Sequence, residues 1–170
     1  MSHPTVFSEM QPLTDNDSLE KEKKILFVCT GNTCRSPMCA ALFNALFAKK
    51  QGLHAYSCGL LADGSPISPN ATQALIRRGI KSEGDNDYLA HMSKPATEEL
   101  VRDAHTIVGL TNRHAMELMF RFPAYASKIH VLPRDISDPY GGDLSVYERC
   151  LCDIEAALAE AFPEKENPYE

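Results

Sequence analysis

The octet Cys29-Thr30-Gly31-Asn32-Thr33-Cys34-Arg35-Ser36 sets a thiol and an arginine six positions apart between two contrasting patterns. Lys24-Ile25-Leu26-Phe27-Val28 before it reads as a buried parallel strand, and Pro37 after it opens a helical pattern. A strand-to-helix turn of this composition can grip a phosphoryl group and attack it. A thiol attacks phosphorus only as a thiolate, a form favoured by a helix N-terminus and a nearby guanidinium. The N–H groups of the loop and of the helix's first turn cradle an anion. Gly31 allows a positive φ, and Asn32 is the next best residue for that conformation, with an amide able to brace the loop. Arg35 offers a planar fork to two phosphoryl oxygens and neutralises charge spreading over them in a loose transition state. Thr30, Gly31, Asn32, Thr33, Cys34, Arg35 and Ser36 are therefore the expected phosphate-binding residues. Ser36-Pro37 also reads as N-cap and first helical residue, with the Ser36 hydroxyl able to donate to the Cys29 sulfur.

A group leaving phosphorus needs a proton, and Asp138 of Asp138-Pro139-Tyr140 can give it if the chain brings it above the loop. The same carboxylate can then activate the water that hydrolyses a cysteinyl-phosphate. Taken alone, Asp-Pro reads first as a turn start; the octet is what favours the acid. The octet with Pro37 resembles the signature of the low-molecular-weight protein-tyrosine-phosphatase family. The resemblance continues at Ser57-Cys58-Gly59, Pro69-Asn70-Ala71 and Ala90-His91-Met92-Ser93, and closes with Asp138-Pro139-Tyr140 and the helix after it, covering about residues 24–162. It implies Cys29 as nucleophile, Arg35 as phosphate ligand, Asp138 as general acid and His91 as a brace for Asn32. It also supports a protective disulfide between Cys29 and Cys34, which their closeness in one turn allows.

The elements that must position these residues alternate. Strands are expected at Ile25–Val28, His54–Ser57, Thr106–Leu110 and Lys128–Leu132. Helices are expected at Pro37–Gln51, Asn70–Arg78, Thr97–Asp103, Asn112–Arg121 and Leu144–Phe162. The first helix is expected to bury Met38, Leu42, Ala45 and Leu46. This order implies an α/β fold, a four-stranded parallel sheet with helices on both faces, whose ligands sit beyond the carboxyl ends of the strands. Both the octet and Asp138 fall at such ends. Residues 1–22 read as a flexible N-terminal extension and 23–165 as the phosphatase domain. Lys81–Asp87 reads as a polar surface loop.

Composition sets the remaining bounds. The 170 residues are 44% hydrophobic and 24% charged, as in an ordinary globular domain, and the formal net charge of −6 argues against a nucleic-acid partner. No apolar run reaches membrane-spanning length and the N-terminus does not read as a secretory signal, so a cytoplasmic protein with no membrane partner is expected. The six cysteines lack zinc-ligand spacing, so no metal or cofactor is expected. Cys39, Cys58, Cys150 and Cys152 read as core or surface thiols, and His105, His114 and His130 as packing or surface residues. Phosphorylated proteins are the expected partners, with the chain a monomer or weak oligomer.

Two details bear on which phosphorylated side chain is taken. Thr33 stands where tyrosine-specific members of the family carry a bulkier apolar residue, and Gly141-Gly142 follow Tyr140 where eukaryotic members have a second aromatic. Thr33 with Asp-Pro-aromatic-Gly-Gly is similar to the bacterial protein-arginine-phosphatase branch, apart from Tyr140, where that branch usually has phenylalanine. Thr33 and Tyr140 are thus the expected pocket residues. Phosphoarginine is the preferred substrate on this reading and phosphotyrosine the alternative. An arsenate reductase would need a resolving cysteine pair in mid-chain, and no cysteine lies between Cys58 and Cys150. A non-catalytic anion sensor would need neither Cys29 nor Asp138.

Overall fold

The computed structural model describes residues 22–164; the extension expected over 1–22 lies outside the described residues except for Glu22. Its strands are β1 Lys24–Cys29, β2 His54–Gly59, β3 Thr106–Gly109 and β4 Ile129–Val131. They form one parallel sheet in the order β2-β1-β3-β4. The helices are α1 Arg35–Leu46, α2 Ala48–Gln51, α3 Pro69–Arg78, α4 Glu98–Asp103, α5 Asn112–Arg121 and α6 Leu144–Ala161. The expected order of strands and helices is met.

β1 lies inside the sheet, and successive side chains enter opposite cores. Ile25 and Phe27 pack with Met38 and Leu42 of α1, Leu75 of α3 and Ile154 and Leu158 of α6. Leu26 and Val28 pack with Val101 of α4 and Ala115 and Leu118 of α5. A strand covered on both faces must be apolar throughout, which is why its sequence runs without alternation.

α1 departs from its expected form. It starts at Arg35 and ends at Leu46, with α2 a separate turn closed by Gly52 in the left-handed region at φ 64°. Every residue from Arg35 to Phe43 is buried, whereas Ala45 and Leu46 are exposed. The helix packs on β1, β2, α3 and α6 at its N-terminal half, so its burial runs all round rather than along one stripe. The polar segment 81–87 is a surface turn, pinned where Asn86 Nδ2 donates to the Ala41 carbonyl at 3.0 Å.

Because the strands are parallel, Cys29, Gly59, Gly109 and Val131 finish at one edge of the sheet. The backbone there is crowded. A Cβ on Gly59 would lie 2.6 Å from the Thr30 carbonyl oxygen and 2.9 Å from Asn32 Cβ. One on Gly109 would lie 2.7 Å from the Ala115 nitrogen. These glycines let the loop 30–34 settle on β2 and α5 on β3.

Candidate active site

β1 delivers Cys29 at the sheet edge, 2% exposed, and the loop 30–34 returns the chain into α1. Cys29 Sγ accepts the Asn32 N–H at 3.3 Å and lies 3.0 Å from Ser36 Oγ. The Asn32 N–H places positive hydrogen-bonding charge on the sulfur, as a thiolate nucleophile requires, and the Ser36 hydroxyl can donate to it or to the Cys58 carbonyl at 3.4 Å. Ser36 is not the N-cap. Helix α1 begins one residue before it, at Arg35, so the Ser36 hydroxyl turns into the loop and makes no cap.

The loop turns at Asn32. Its φ of 58° is the one positive value among the described non-glycine residues, and Gly31, expected to share that role, does not take it. Asn32 is fully buried and its side chain is bonded at every polar position. Nδ2 donates to Ser36 Oγ at 2.8 Å and to Ser57 Oγ at 3.0 Å, while Oδ1 accepts the Lys94 N–H at 3.0 Å. His91 acts on this residue through the backbone, its Nε2 lying 2.8 Å from the Asn32 carbonyl oxygen. Burial lowers the His91 pKa, so the ring is neutral and donates one hydrogen bond there.

Arg35 is 8% exposed and reaches across the site. Nη1 donates to the Ile136 carbonyl at 3.0 Å, and Nη2 lies 3.8 Å from Asp138 Oδ2. The guanidinium thus joins the loop to the segment after β4. Asp138 is half exposed, and its Oδ1 accepts the Tyr140 N–H at 3.1 Å, the turn that Asp-Pro favours. Of the three expected catalytic residues, Arg35 and Asp138 face one another, and Cys29 lies against Ser36, the neighbour of Arg35 in the chain.

A cleft of about 690 Å³ flanks the loop, with Gly31, Thr33, Cys34, Tyr140, Gly141 and Tyr147 among its walls. Cys29, Arg35 and Asp138 are not among its walls, so the cleft lies beside these residues rather than over them. Thr33 and Tyr140 both line it, and Tyr140 is 81% exposed. Cys34 is a free thiol held by Tyr147, whose hydroxyl lies 3.3 Å from its sulfur and accepts from Ser68 Oγ at 3.3 Å. Burial and that contact push the Tyr147 hydroxyl up to about 12. Burial pushes Cys58 and Cys150 up to about 12 as well, and Cys39 well above the usual thiol range, in keeping with packing roles.

Sequence reasoning missed three supports. Tyr147 was hidden as one aromatic on a long helix. Asn70 Nδ2 donates to the Gly142 carbonyl at 3.4 Å, tying α3 to the arch that carries Asp138. His114, expected only to pack, is buried between two threonines, its Nε2 3.0 Å from Thr30 Oγ1 and its Nδ1 3.0 Å from Thr111 Oγ1. The signal for His114 was its place two residues past Thr111-Asn112, at the carboxyl end of β3. No group of three or more metal-ligating side chains is found among the described residues.

This geometry has relatives. The model of the family described as low molecular weight phosphotyrosine protein phosphatase matches residues 24–166. The chain belongs to that family. Among its relatives, the protein-arginine-phosphatase of Bacillus subtilis (strain 168) is 34% identical over 146 residues, 80% of this chain and 92% of that one. Among solved structures, a Cys-to-Ser mutant of the YwlE arginine phosphatase with a phosphorylated active-site serine matches with a TM-score of 0.73 and 32% identity, covering 86% of this chain and 98% of that one. A low molecular weight protein tyrosine phosphatase from T. tengcongensis matches with a TM-score of 0.72 and 33% identity, over 81% and 96% of the two chains. The protein is accordingly a hydrolase of the cysteine-based protein-phosphatase type. No helix among the described residues is long and apolar enough to cross a membrane.

Proposed function

We propose that this family member is a protein-arginine phosphatase working through a phosphorylated Cys29. In the first step the Cys29 thiolate attacks phosphorus in line with the P–N bond, while the amides of the loop 30–36 and the Arg35 guanidinium hold the equatorial oxygens. Asp138, as the acid, protonates the departing guanidinium nitrogen. In the second step the Asp138 carboxylate takes a proton from water, which displaces Cys29 and releases phosphate.

The observation that carries the arginine reading is Thr33 on the wall of the cleft, facing the same space as Tyr140 and Gly141. A phosphoguanidinium is planar, polar and rich in N–H donors. A threonine hydroxyl beside the attacked phosphorus accepts such a donor or holds a water, and it occupies less room than isoleucine. Asp138, half exposed above the loop, can accept a guanidinium N–H before it yields its proton. The relatives named protein-arginine-phosphatase support the same choice. Phosphotyrosine is the second reading, favoured by the exposed Tyr140 ring, which offers a stacking wall to an aryl group.

Turnover on phosphoarginine and phosphotyrosine peptides, measured side by side, separates the two. The wild type is expected to prefer phosphoarginine, and Thr33→Ile to shift the ratio of kcat/KM toward phosphotyrosine by at least about tenfold, the worth of one polar contact and a methyl group's change of shape. Phosphotyrosine as much the better substrate, with a ratio untouched by Thr33→Ile, would sink the arginine reading.

A further inference from the structure

The loop is tethered along its length, by Tyr147 at Cys34 and His91 at Asn32 among others, and three of the tethers mark its middle, its end and its beginning. The Asn32 amide network holds the middle, and Arg35 bonded to the Ile136 carbonyl holds the end. The third holds the beginning. Thr30 directly follows the nucleophile; its carbonyl accepts the Leu61 N–H at 2.9 Å, and its side chain meets His114.

Thr111 caps α5, its Oγ1 accepting the His114 backbone N–H at 3.2 Å. The Thr111 hydroxyl proton then has His114 Nδ1, 3.0 Å away, as its acceptor. A neutral imidazole that accepts at Nδ1 carries its proton on Nε2 and donates it to Thr30 Oγ1. Burial, reinforced by the nearby Arg35 charge, holds the His114 pKa down at about 4 against the opposing pull of Glu117, Asp135 and Asp138, so the ring is neutral at working pH. Thr30 itself is exposed. With its oxygen engaged by His114, its own proton is left for an acceptor bound in the loop.

We infer that His114 is a positioning residue for the phosphatase reaction: through Nε2 it fixes the Thr30 side chain and leaves the Thr30 hydroxyl to donate to the phosphoryl group held beside Cys29. This rests on Cys29 being the nucleophile, which hydrolysis of an aryl phosphate by wild type and its abolition in Cys29→Ser establish separately.

A variant cycle on the full-length protein tests the inference with the same aryl phosphate, with thermal unfolding recorded for each variant. His114→Gln can still donate to Thr30, whereas His114→Asn is too short to reach it. Thr30→Val removes the hydroxyl at an exposed position, and its thermal unfolding reports what the loss of a partner for the buried His114 Nε2–H costs the fold. Thr30→Val and His114→Asn should each lower kcat about tenfold, roughly one hydrogen bond's worth, with KM within about twofold. His114→Gln should stay within about threefold of wild type. In the Thr30→Val background, Asn and Gln at position 114 should give equal kcat, because the coupling partner is gone. Losses that multiply in the double variants, Gln as damaging as Asn, or a loss carried by KM alone would overturn the inference. If the His114 variants do not fold, Thr30→Val decides it: an undiminished kcat overturns it, and the tenfold loss sustains it.

Discussion

At the scale of single residues, the loop depends on Asn32, where one side chain answers three structural demands. It tolerates a positive φ, donates twice and accepts once, all while fully buried. The octet stands out in the sequence because its proposed chemistry is local, with thiol, turn residue and arginine lying within seven positions. Tyr147 and His114 were not legible, and Asn70 only as part of a motif without a role, because each acts on a partner at least 72 residues away in the chain, which no spacing rule reports. The roles of Cys29 and Asp138 lead to a covalent prediction. If Asp138 is the base of the second step, Asp138→Asn slows hydrolysis of the cysteinyl-phosphate. Intact-protein mass spectrometry of that variant, quenched in mid-turnover with a good leaving group, should show the chain plus one phosphoryl group. No adduct in this variant, together with full-speed phosphate release from Cys29→Ser, would contradict the assignment.

At the scale of elements, strand and helix types followed the sequence well where each element faces the core in the ordinary way. The bounds of α5 coincide with the sequence reading because Thr111 caps its start. α1 did not follow, because Arg35 and Ser36 look like loop chemistry yet already belong to its first turn, and because that turn is buried on every side. The end of β2 was legible only as a motif, Ser57-Cys58-Gly59; its physical content is the space Gly59 leaves for the Thr30 carbonyl and Asn32 Cβ. Gly59→Ala forces backbone against backbone, which no rotamer can relieve. It should cost about 1–3 kcal/mol of stability, the usual penalty for overpacking, and lower kcat by shifting the loop. Urea unfolding and aryl phosphate turnover measure the two effects. A variant as stable and as active as wild type would show that the loop yields freely.

At the scale of the whole molecule, burial lowers the pKa values of His91, His105, His114 and His130. Unfolding frees each ring to take up a proton near its ordinary value of 6.5, a proton the folded state refuses until the pH is lower, about 4 for His114. The unfolded state therefore binds more protons across that window, and stability falls as pH drops from about 6.5 toward 4. Urea midpoints at pH 7 and pH 5 should differ in that direction, and His114→Gln should narrow the gap; equal midpoints would contradict the burial of these rings. The link between Arg35 and Ile136 also spans the molecule, tying residues 101 positions apart. On the proposed mechanism one guanidinium is both the phosphate's counter-charge and the rivet between the two arms of the reaction centre. Deleting it to make an inert, substrate-capturing form would also loosen the arm that carries the acid, so a weakened grip on ligand could not be told apart from a displaced proton donor. Exchanging the sulfur for oxygen at position 29 leaves the rivet in place, and is the cleaner design for a bait with which to fish for physiological targets.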